Sequence, residues 1–333
     1  MRAARYSSTV GGLDKNLKLD AASPLPKGAN ALPQGSTLVK VVSSSPNPVD
    51  YKLPETSLYR ALKMSMPSIP AGDFAGTVVE TTLAHLRPGD RVFGRSDPPT
   101  FGAFAEFLVV SNPAGVVPLP DNVSMSDGST MGVAAITAYQ CLAPYVKPGS
   151  KVLINGGSGG TGTYGIQIAK ILGCNVTTTC SGPNVQLCKD LGADEVIDYR
   201  TTDVIEHLKR AGTQFDHVID NAGTPALYFN SHHFLKKDGL VVLIAGSPSL
   251  SMVWDMVKIF YMPAWLGGGK RAVKFLGRRS NAEEYAKIAG WMSEGRVKAV
   301  VEKEYPLEEA ADAFARLKTG RVRGKLVVKI AEE

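Results

Sequence analysis

The stretch VLINGGSGGTGTYGIQIAK, residues 152–170, constrains the fold more than any other part of the chain. It opens with apolar residues, breaks into glycines and closes with helical spacing. Within it, Gly157-Ser158-Gly159-Gly160-Thr161-Gly162 fits G-x-G-x-x-G, directly after a predicted strand and at the start of a predicted helix. The bare pattern is weak, and this placement is what gives it meaning. Glycines let the backbone turn sharply and approach a pyrophosphate without a Cβ in the way. The helix start then offers unpaired N–H groups and a positive dipole end. The competing reading is a tight strand-to-helix turn that binds nothing.

The surroundings favour the phosphate reading. KVLIN (151–155), NVTTTC (175–180), EVID (195–198), FDHVID (215–220) and LVVLIAG (240–246) read as strands. Amphipathic segments near NVQLCKDLG and DVIEHLKRAG alternate with them, which argues for a parallel sheet covered on both faces. Residues 1–120 have another texture: STLVKVVSS, AGTVVE, DRVFG and AFAEFLVV are short β segments divided by Pro, Gly and Ser. Helical periodicity there is confined to SLYRALKM, so a compact β-rich domain of barrel type is expected. Beyond it MGVAAITAYQCL is helical in spacing, and the chain closes with LEEAADAFARLKTG as helix and GKLVVKI as strand.

Composition narrows the function classes. A chain of 333 residues can bury the cores of two domains. Its 44% apolar and 20% charged residues are those of an ordinary globular protein. The net charge of +6 suits anionic ligands but is too small and dispersed for nucleic acid. Cys141, Cys174, Cys180 and Cys188 show no C-x-x-C spacing, so neither a zinc knuckle nor a redox dithiol is indicated. Free thiols fit a reducing compartment, and a cytoplasmic location is expected. The alternative is mitochondrial: MRAARYSST is free of acid until Asp14 and faintly resembles a transit peptide, against a first strand turning at Gly11-Gly12. SMVWDMVKIFYMPAWLGG is broken by Asp255, Lys258 and Pro263 and is not expected to span a membrane.

The end of the second predicted strand bears on which dinucleotide is bound. An NAD site usually places an acid about 20 residues after the loop, on the ribose 2′-hydroxyl. Here the segment is Thr179-Cys180-Ser181-Gly182, without an acid. A carboxylate there would repel a 2′-phosphate, whereas Ser181 can donate a hydrogen bond to one. Tyr199 and Arg200 add a hydroxyl and a positive charge, so NADPH is favoured over NADH.

At this point the chain resembles a family. NPVDYK (47–52), AGDFAG (71–76), RPGDRVFG (87–94), AAITAYQ (134–140), INGGSGGTG, GADEVIDYR (192–200), VIDNAG (218–223) and GRVRGKLVV (320–328) match the medium-chain dehydrogenase/reductase superfamily in order. The resemblance covers nearly the whole chain and is nearest to the zinc-independent, quinone-oxidoreductase-like and enoyl reductase members. It implies an α/β fold: a Rossmann-type doubly wound parallel sheet plus a GroES-like β-rich barrel domain. The expected boundaries are 1–124 for the GroES-like part, 125–265 for the NADPH-binding part, and 266–333 for a return segment completing both.

The superfamily's alcohol dehydrogenases carry zinc on Cys or Asp, His and a G-H-E motif. This chain has Ala71-Gly72-Asp73-Phe74-Ala75-Gly76 at that place and RSDPPTFGAFAEF where the four-cysteine lobe would be. His85, the only histidine in the first 200 residues, falls on a predicted turn, so no metal site is expected. Without a metal, the chemistry implied is hydride transfer to an acceptor polarised by conjugation, an α,β-unsaturated carbonyl or a quinone.

By the same resemblance Asn47, Lys52 and Thr137 are the candidate catalytic residues. Ser158, Gly159, Gly160, Thr161, Gly162, Ser181, Tyr199, Asn221 and Lys325 are the candidate cofactor contacts. Tyr51 is a weaker proton-donor candidate, because strand-like alternation puts it opposite Lys52. Related enzymes often carry a lysine where this chain has Asn184.

A short-chain dehydrogenase is excluded by order, since the only Tyr-x-x-x-Lys, Tyr59 to Lys63, precedes the glycine loop. A rival of another class is an NADPH-binding interaction protein peripheral to a membrane surface. It is suggested by VWDMVKIFYMPAWLGGGKRAVKFLGRR (253–279), which otherwise reads as a wall of the substrate pocket. Monomer and homodimer both remain open.

Overall fold

The short β segments of the first 120 residues fold as β1 (Ala3–Arg5), β2 (Lys18–Asp20), β3 (Thr37–Ser45), β4 (Asp73–Thr81), β5 (Arg91–Arg95), β6 (Phe107–Val110) and β7 (Val116–Pro118). There follow β8 (Lys151–Asn155), β9 (Asn175–Cys180), β10 (Glu195–Asp198), β11 (Phe215–Asp220), β12 (Leu235–Leu243) and β13 (Ala272–Phe275). The last two are β14 (Val301–Pro306) and β15 (Lys325–Lys329). The computed structural model describes residues 1–244 and 250–332, with backbone alone at 250–253. Ala245 and Gly246, the end of the LVVLIAG expectation, lie outside the described residues.

The chain divides into two units, residues 1–136 with 279–333 and residues 137–278. The breaks therefore fall twelve or so residues beyond the expected 124 and 265. In the second case the reason is β13, which pairs in parallel with β12 from Leu240↔Ala272 to Leu243↔Phe275 and so belongs to the second unit.

In the first unit the strand order is β14-β15-β3-β4-β5-β7, with β6 also on β3. β3 is buried at every position except Lys40, as expected of a strand with neighbours on both sides and packing on both faces. Its Val39 and Val41 join Phe74, Val92, Phe104, Leu326 and Val328 in one core. The return segment closes that core through the helix Ala310–Lys318, whose Phe314 meets Phe104 with ring centroids 5.4 Å apart.

The second unit is a six-stranded parallel sheet of order β10-β9-β8-β11-β12-β13. Counted from β8 this is the doubly wound order 3-2-1-4-5-6, which places ligands beyond the carboxyl ends of the strands where the order reverses. β8 and β11 flank that reversal, and the glycine turn follows β8. Val152, Leu153 and Ile154 are fully buried, as an interior parallel strand requires.

One local expectation is corrected. NPVDYK does not alternate: Pro48–Glu55 is a helix, started by Asn47 and Asp50 in a reciprocal capping box with Pro48 at its first position. Tyr51 and Lys52 therefore point about 100° apart around a helix instead of to opposite faces of a strand. Among the described residues no helix is long and apolar enough to cross a membrane.

Phe314 is fully buried on the segment that returns from the second unit. Phe314→Ala is expected to destabilise the protein by about 3–5 kcal/mol. Urea denaturation followed by tryptophan fluorescence measures this, and a loss under about 1 kcal/mol would mean that the return helix contributes little to the core.

Candidate functional site

The three motif glycines have separate geometric duties. A Cβ on Gly157 would lie 2.0 Å from Thr178 Oγ1, and one on Gly162 would lie 2.2 Å from the Gly156 carbonyl oxygen. Thr178 cannot yield easily, because its hydroxyl donates to Ile154 O at 2.7 Å. Gly159, in contrast, meets nothing closer than Gly156 O at 3.7 Å. The first and third glycines thus let strand and helix close upon each other, while the second presents open backbone. Gly159 caps the twelve-residue helix Gly160–Ile171 and brings no side-chain hydrogen bond to it, so its first N–H groups face outward uncapped by a side chain.

Under the turn, Asn155 at the end of β8 donates to Asp220 Oδ1 at 2.8 Å and accepts from Thr179 Oγ1 at 2.6 Å. Asp220 also accepts the N–H groups of Ala222 and Gly223 at 3.0 Å and Thr224 at 2.6 Å. The chain leaving β11 is thereby folded into a turn that displays Asn221. Both amide atoms of Asn221 are buried without a hydrogen-bond partner, an arrangement that costs about 1–3 kcal/mol per group unless a ligand completes it. Its Cβ sits 3.5 Å from the position a side chain on Gly156 would take. The open second glycine, the uncapped helix start and this orphaned amide together fit a dinucleotide.

At the end of β9, Ser181 starts a short 3-10 turn, Gly182–Asn184. Asn184 Nδ2 donates to Ser158 Oγ at 3.1 Å and Ser181 Oγ at 3.2 Å, joining this turn to the glycine loop. Tyr199 and Arg200 are exposed just after β10. Ser158, Gly159, Gly160, Thr161, Gly162, Ser181 and Asn221 therefore gather at one end of the sheet of the second unit.

Asn47 and Lys325 lie instead within the first unit, bonded to each other. Lys325 Nζ donates to Asn47 Oδ1 at 2.5 Å and Pro46 O at 3.3 Å, and is only 4% exposed, so it is not a solvated lysine. Asn47 Nδ2 donates to Asp73 Oδ2 at 2.8 Å. The same oxygen accepts Val133 N–H at 2.9 Å, and Arg95 reaches Asp73 Oδ1 at 3.3 Å. Asp50 accepts from Asn47 N at 2.7 Å and faces Arg95 at 3.8 Å. Two carboxylates and two cations are thus buried together. Burial pushes the Asp50 carboxyl up to about 6, against the pull of Arg95. Burial likewise raises Asp73 and lowers Lys325, each opposed by its partners of opposite charge.

On the helix that Asn47 caps, Lys52 is half-buried and its ammonium is made more acidic by burial. Tyr51 is also half-buried, its phenol raised by burial, with Lys318 Nζ 5.6 Å from its ring centroid. Thr137 is 2% exposed in the helix Ala134–Leu142, where it is the first residue of the second unit. His85 is exposed on its turn. Of the 253–279 stretch, Trp254, Tyr261 and Trp265 are exposed, and Lys258 Nζ lies 5.8 Å from the Trp254 ring centroid.

Sequence reasoning missed Asp50, Arg95, Asn155, Thr179 and Asp220. Asp50 had a signal, the N-x-x-D spacing of a capping box before a Pro. The others are read only from strand pairing.

Residues 33–121 match the alcohol dehydrogenase GroES-like domain, and residues 191–328 match the zinc-binding dehydrogenase model. A trans-enoyl reductase of Aspergillus terreus is 41% identical over all of this chain and 97% of its own. A chloroplastic quinone-oxidoreductase homologue of Spinacia oleracea is 30% identical over 99% of this chain and 98% of its own. Among solved structures, the quinone oxidoreductase of Coxiella burnetii superposes with a TM-score of 0.84 at 30% identity, covering 99% of both chains. The Escherichia coli quinone oxidoreductase complexed with NADPH superposes with a TM-score of 0.80 at 22% identity over 99% of this chain and 100% of that one.

The glycine geometry and the buried carboxyl each carry an expected outcome. Gly162→Ala should weaken dinucleotide binding by at least about tenfold in a fluorescence titration, because the added methyl pushes the turn apart. Gly290→Ala, which meets nothing within 4 Å, should leave binding unchanged. Asp50 holds its proton more tightly folded than at its ordinary 3.8, so its stabilising share is full below that pH and lost as pH rises through about 6. Asp50→Asn removes the titration. Wild type should therefore lose stability relative to this variant between roughly pH 4 and 6.5 in denaturant melts, and a pH-independent difference would clear Asp50 of the role.

Proposed function

The chain belongs to the medium-chain dehydrogenase/reductase superfamily, in its quinone-oxidoreductase and enoyl reductase branch, and from that membership we propose an NADPH-dependent, metal-independent reductase of activated carbon–carbon double bonds or quinones. It is an NAD(P)-dependent oxidoreductase. The enoyl half of the reading is supported by 41% identity to a trans-enoyl reductase along the whole chain. The quinone half is supported by the quinone-oxidoreductase relatives.

One observation carries the metal-independent part. Asp73, the oxygen ligand that remains where zinc-dependent relatives bind metal, has its carboxylate committed to Asn47, Val133 N–H and Arg95. Three of the roughly four acceptor sites of that carboxylate are taken, one of them by the Arg95 cation, which would repel a metal ion placed beside it. The acceptor must then be polarised by its own conjugation and by protein donors.

When bound, the reduced nicotinamide supplies a hydride to the β carbon of such an acceptor. The protein's share is to place that carbon near van der Waals contact, to answer the negative charge that grows on the carbonyl oxygen, and to deliver a proton to the α carbon. Lys52 is the candidate for the second task. Its ammonium is an oxyanion donor on a helix whose start is fixed by Asn47 and Asp50. Asn47 acts through that cap, Lys325 acts on it through its hydrogen bond to Asn47, and Thr137 is kept as a candidate contact to the nicotinamide. The NADPH preference is supported by the hydroxyls of Ser158 and Ser181 and by a segment Thr179–Gly182 that carries no acid of its own, against which stands Asp198 of β10 beside the turn.

A second reading, an NADPH-binding protein that works through contact with a membrane surface, draws on the exposed Trp254, Tyr261 and Trp265. One assay separates the two. NADPH consumption against enones, enoyl thioesters and quinones should show turnover of at least one class, and Lys52→Ala should lower that turnover by at least about tenfold. Tight NADPH binding with no turnover of any acceptor would favour the surface role.

A further inference from the structure

We propose that Lys318 is a positioning residue for the reaction: bridging Asp14 and Glu55, it fixes the far end of the helix that carries Lys52 and so the place of the Lys52 ammonium. The inference rests on the reading of Lys52 given above. The helix Pro48–Glu55 has eight residues, about 12 Å of length, and a helix so short is marginal unless something holds it. Its start is held by the capping box of Asn47 and Asp50. Its end is weak by composition. Pro54 lies inside it and has no N–H to give to the Asp50 carbonyl one turn back. The Thr56 N–H goes to Leu53 O at 3.1 Å, three residues back, and the Thr56 hydroxyl donates to Lys52 O at 2.9 Å. The Lys52 peptide therefore belongs to the half of the helix that its own ladder holds least.

The missing rigidity comes from distant parts of the chain. Glu55 Oε1 accepts the Leu13 N–H at 2.7 Å and the Lys318 ammonium at 2.9 Å. The same ammonium donates to Asp14 Oδ1 at 2.6 Å. Lys318 is the last residue of the return helix Ala310–Lys318, which Phe314 roots in the core of the first unit. Leu13 and Asp14 belong to the short helix Leu13–Asn16, whose Leu13 is buried in that same core. Gly12 lets the chain come this close, since a Cβ there would lie 2.6 Å from Lys318 Nζ. Tyr51, one turn before Glu55, sets its ring centroid 5.6 Å from the same ammonium. Lys318 thus grips the stripe of Tyr51 and Glu55, and Lys52 stands about 100° around the helix from Tyr51. The side chains of Lys318, Asp14 and Glu55 are 26%, 16% and 26% exposed, so these ion pairs are sheltered from water more than ordinary surface pairs. A displacement of about 1 Å at a group that answers the developing charge costs up to about a hundredfold in rate, which is how an anchor remote from the chemistry bears on it.

The test is a double-mutant cycle in the full-length protein, joining Lys52→Ala with Lys318→Met, which keeps the stem and removes the charge. NADPH oxidation is followed with whichever of a simple enone, a crotonyl thioester and a naphthoquinone is turned over. Lys318→Met is expected to lower kcat by about fivefold or more while changing the KM for NADPH by less than about twofold. In the Lys52→Ala background the same substitution should lower kcat by less than about twofold, because there is no ammonium left to misplace. Glu55→Gln keeps an acceptor for the Leu13 N–H and weakens only the hold of Lys318. It should show the same pattern with a smaller loss, and its cycle decides the matter if circular dichroism finds Lys318→Met unfolded. Equal losses in the two backgrounds, or no loss in the wild-type background, would mean that the bridge serves stability alone and would overturn the proposal. If Lys52→Ala by itself leaves turnover unchanged, the Lys52 reading falls and the proposal with it. If Lys52→Ala lowers turnover and the losses stay additive, the proposal falls alone.

Discussion

Asp73 is where the first unit is tied together. Its two carboxylate oxygens receive Asn47, the backbone of Val133 and Arg95, while Ser44 donates to its main-chain carbonyl at 2.7 Å. The start of β4, the cap of the helix Pro48–Glu55, the end of β5 and the chain entering the helix at Ala134 converge on one side chain. Gly132 is obliged to lack a Cβ, because one would lie 2.6 Å from the Asp73 carboxyl carbon. Lys325 fastens the return strand β15 to the same point through Asn47. Ions buried in this way are tolerated only when their charges and hydrogen-bonding groups are answered, since an unpaired one costs several kcal/mol. The outcome for chemistry is a carboxylate that holds the fold and a lysine-bearing helix with a fixed start.

The second unit was largely legible in advance. Its strands are short Val- and Ile-rich runs at regular spacing, and amphipathic helices alternate with them. Local pattern therefore nearly suffices to predict a parallel sheet. The glycine turn was legible for the same reason: its residues are consecutive, and their meaning depends on what precedes and follows. Gly157 and Gly162 close-packed with Gly159 open is the arrangement that such a turn needs. The superfamily was recognisable from motifs spread in order along the chain.

What could not be read was anything joining distant segments. Asn47 and Lys325 stand 278 positions apart and were assigned to separate roles, yet they share one hydrogen bond. Lys325 carries no local mark of burial, since a basic residue between Gly and a hydrophobic run reads equally well as solvated. Arg95 ends an unremarkable strand, and its burial follows only from the carboxylates that β4 and the capped helix bring to it. Asn155, Thr179 and Asp220 belong to three strands, and parallel register alone sets them side by side. Tyr51 and Lys52 were misread because a short helix of eight residues, with Pro inside it, has too little periodicity to betray itself.

The sequence by itself determined the class of fold, the place of the dinucleotide turn, and the lack of an acid at the end of β9. Each of these is a matter of which residues are neighbours along the chain. The tertiary structure decided the state of the side chains: Asp73 engaged, Lys325 buried, Asn221 unsatisfied, and Asn184 donating to two serines from different loops. Those depend on directions and distances that arise only when strands pair. A hydrogen bond's donor and acceptor, unlike a glycine's freedom, are not properties of a residue alone.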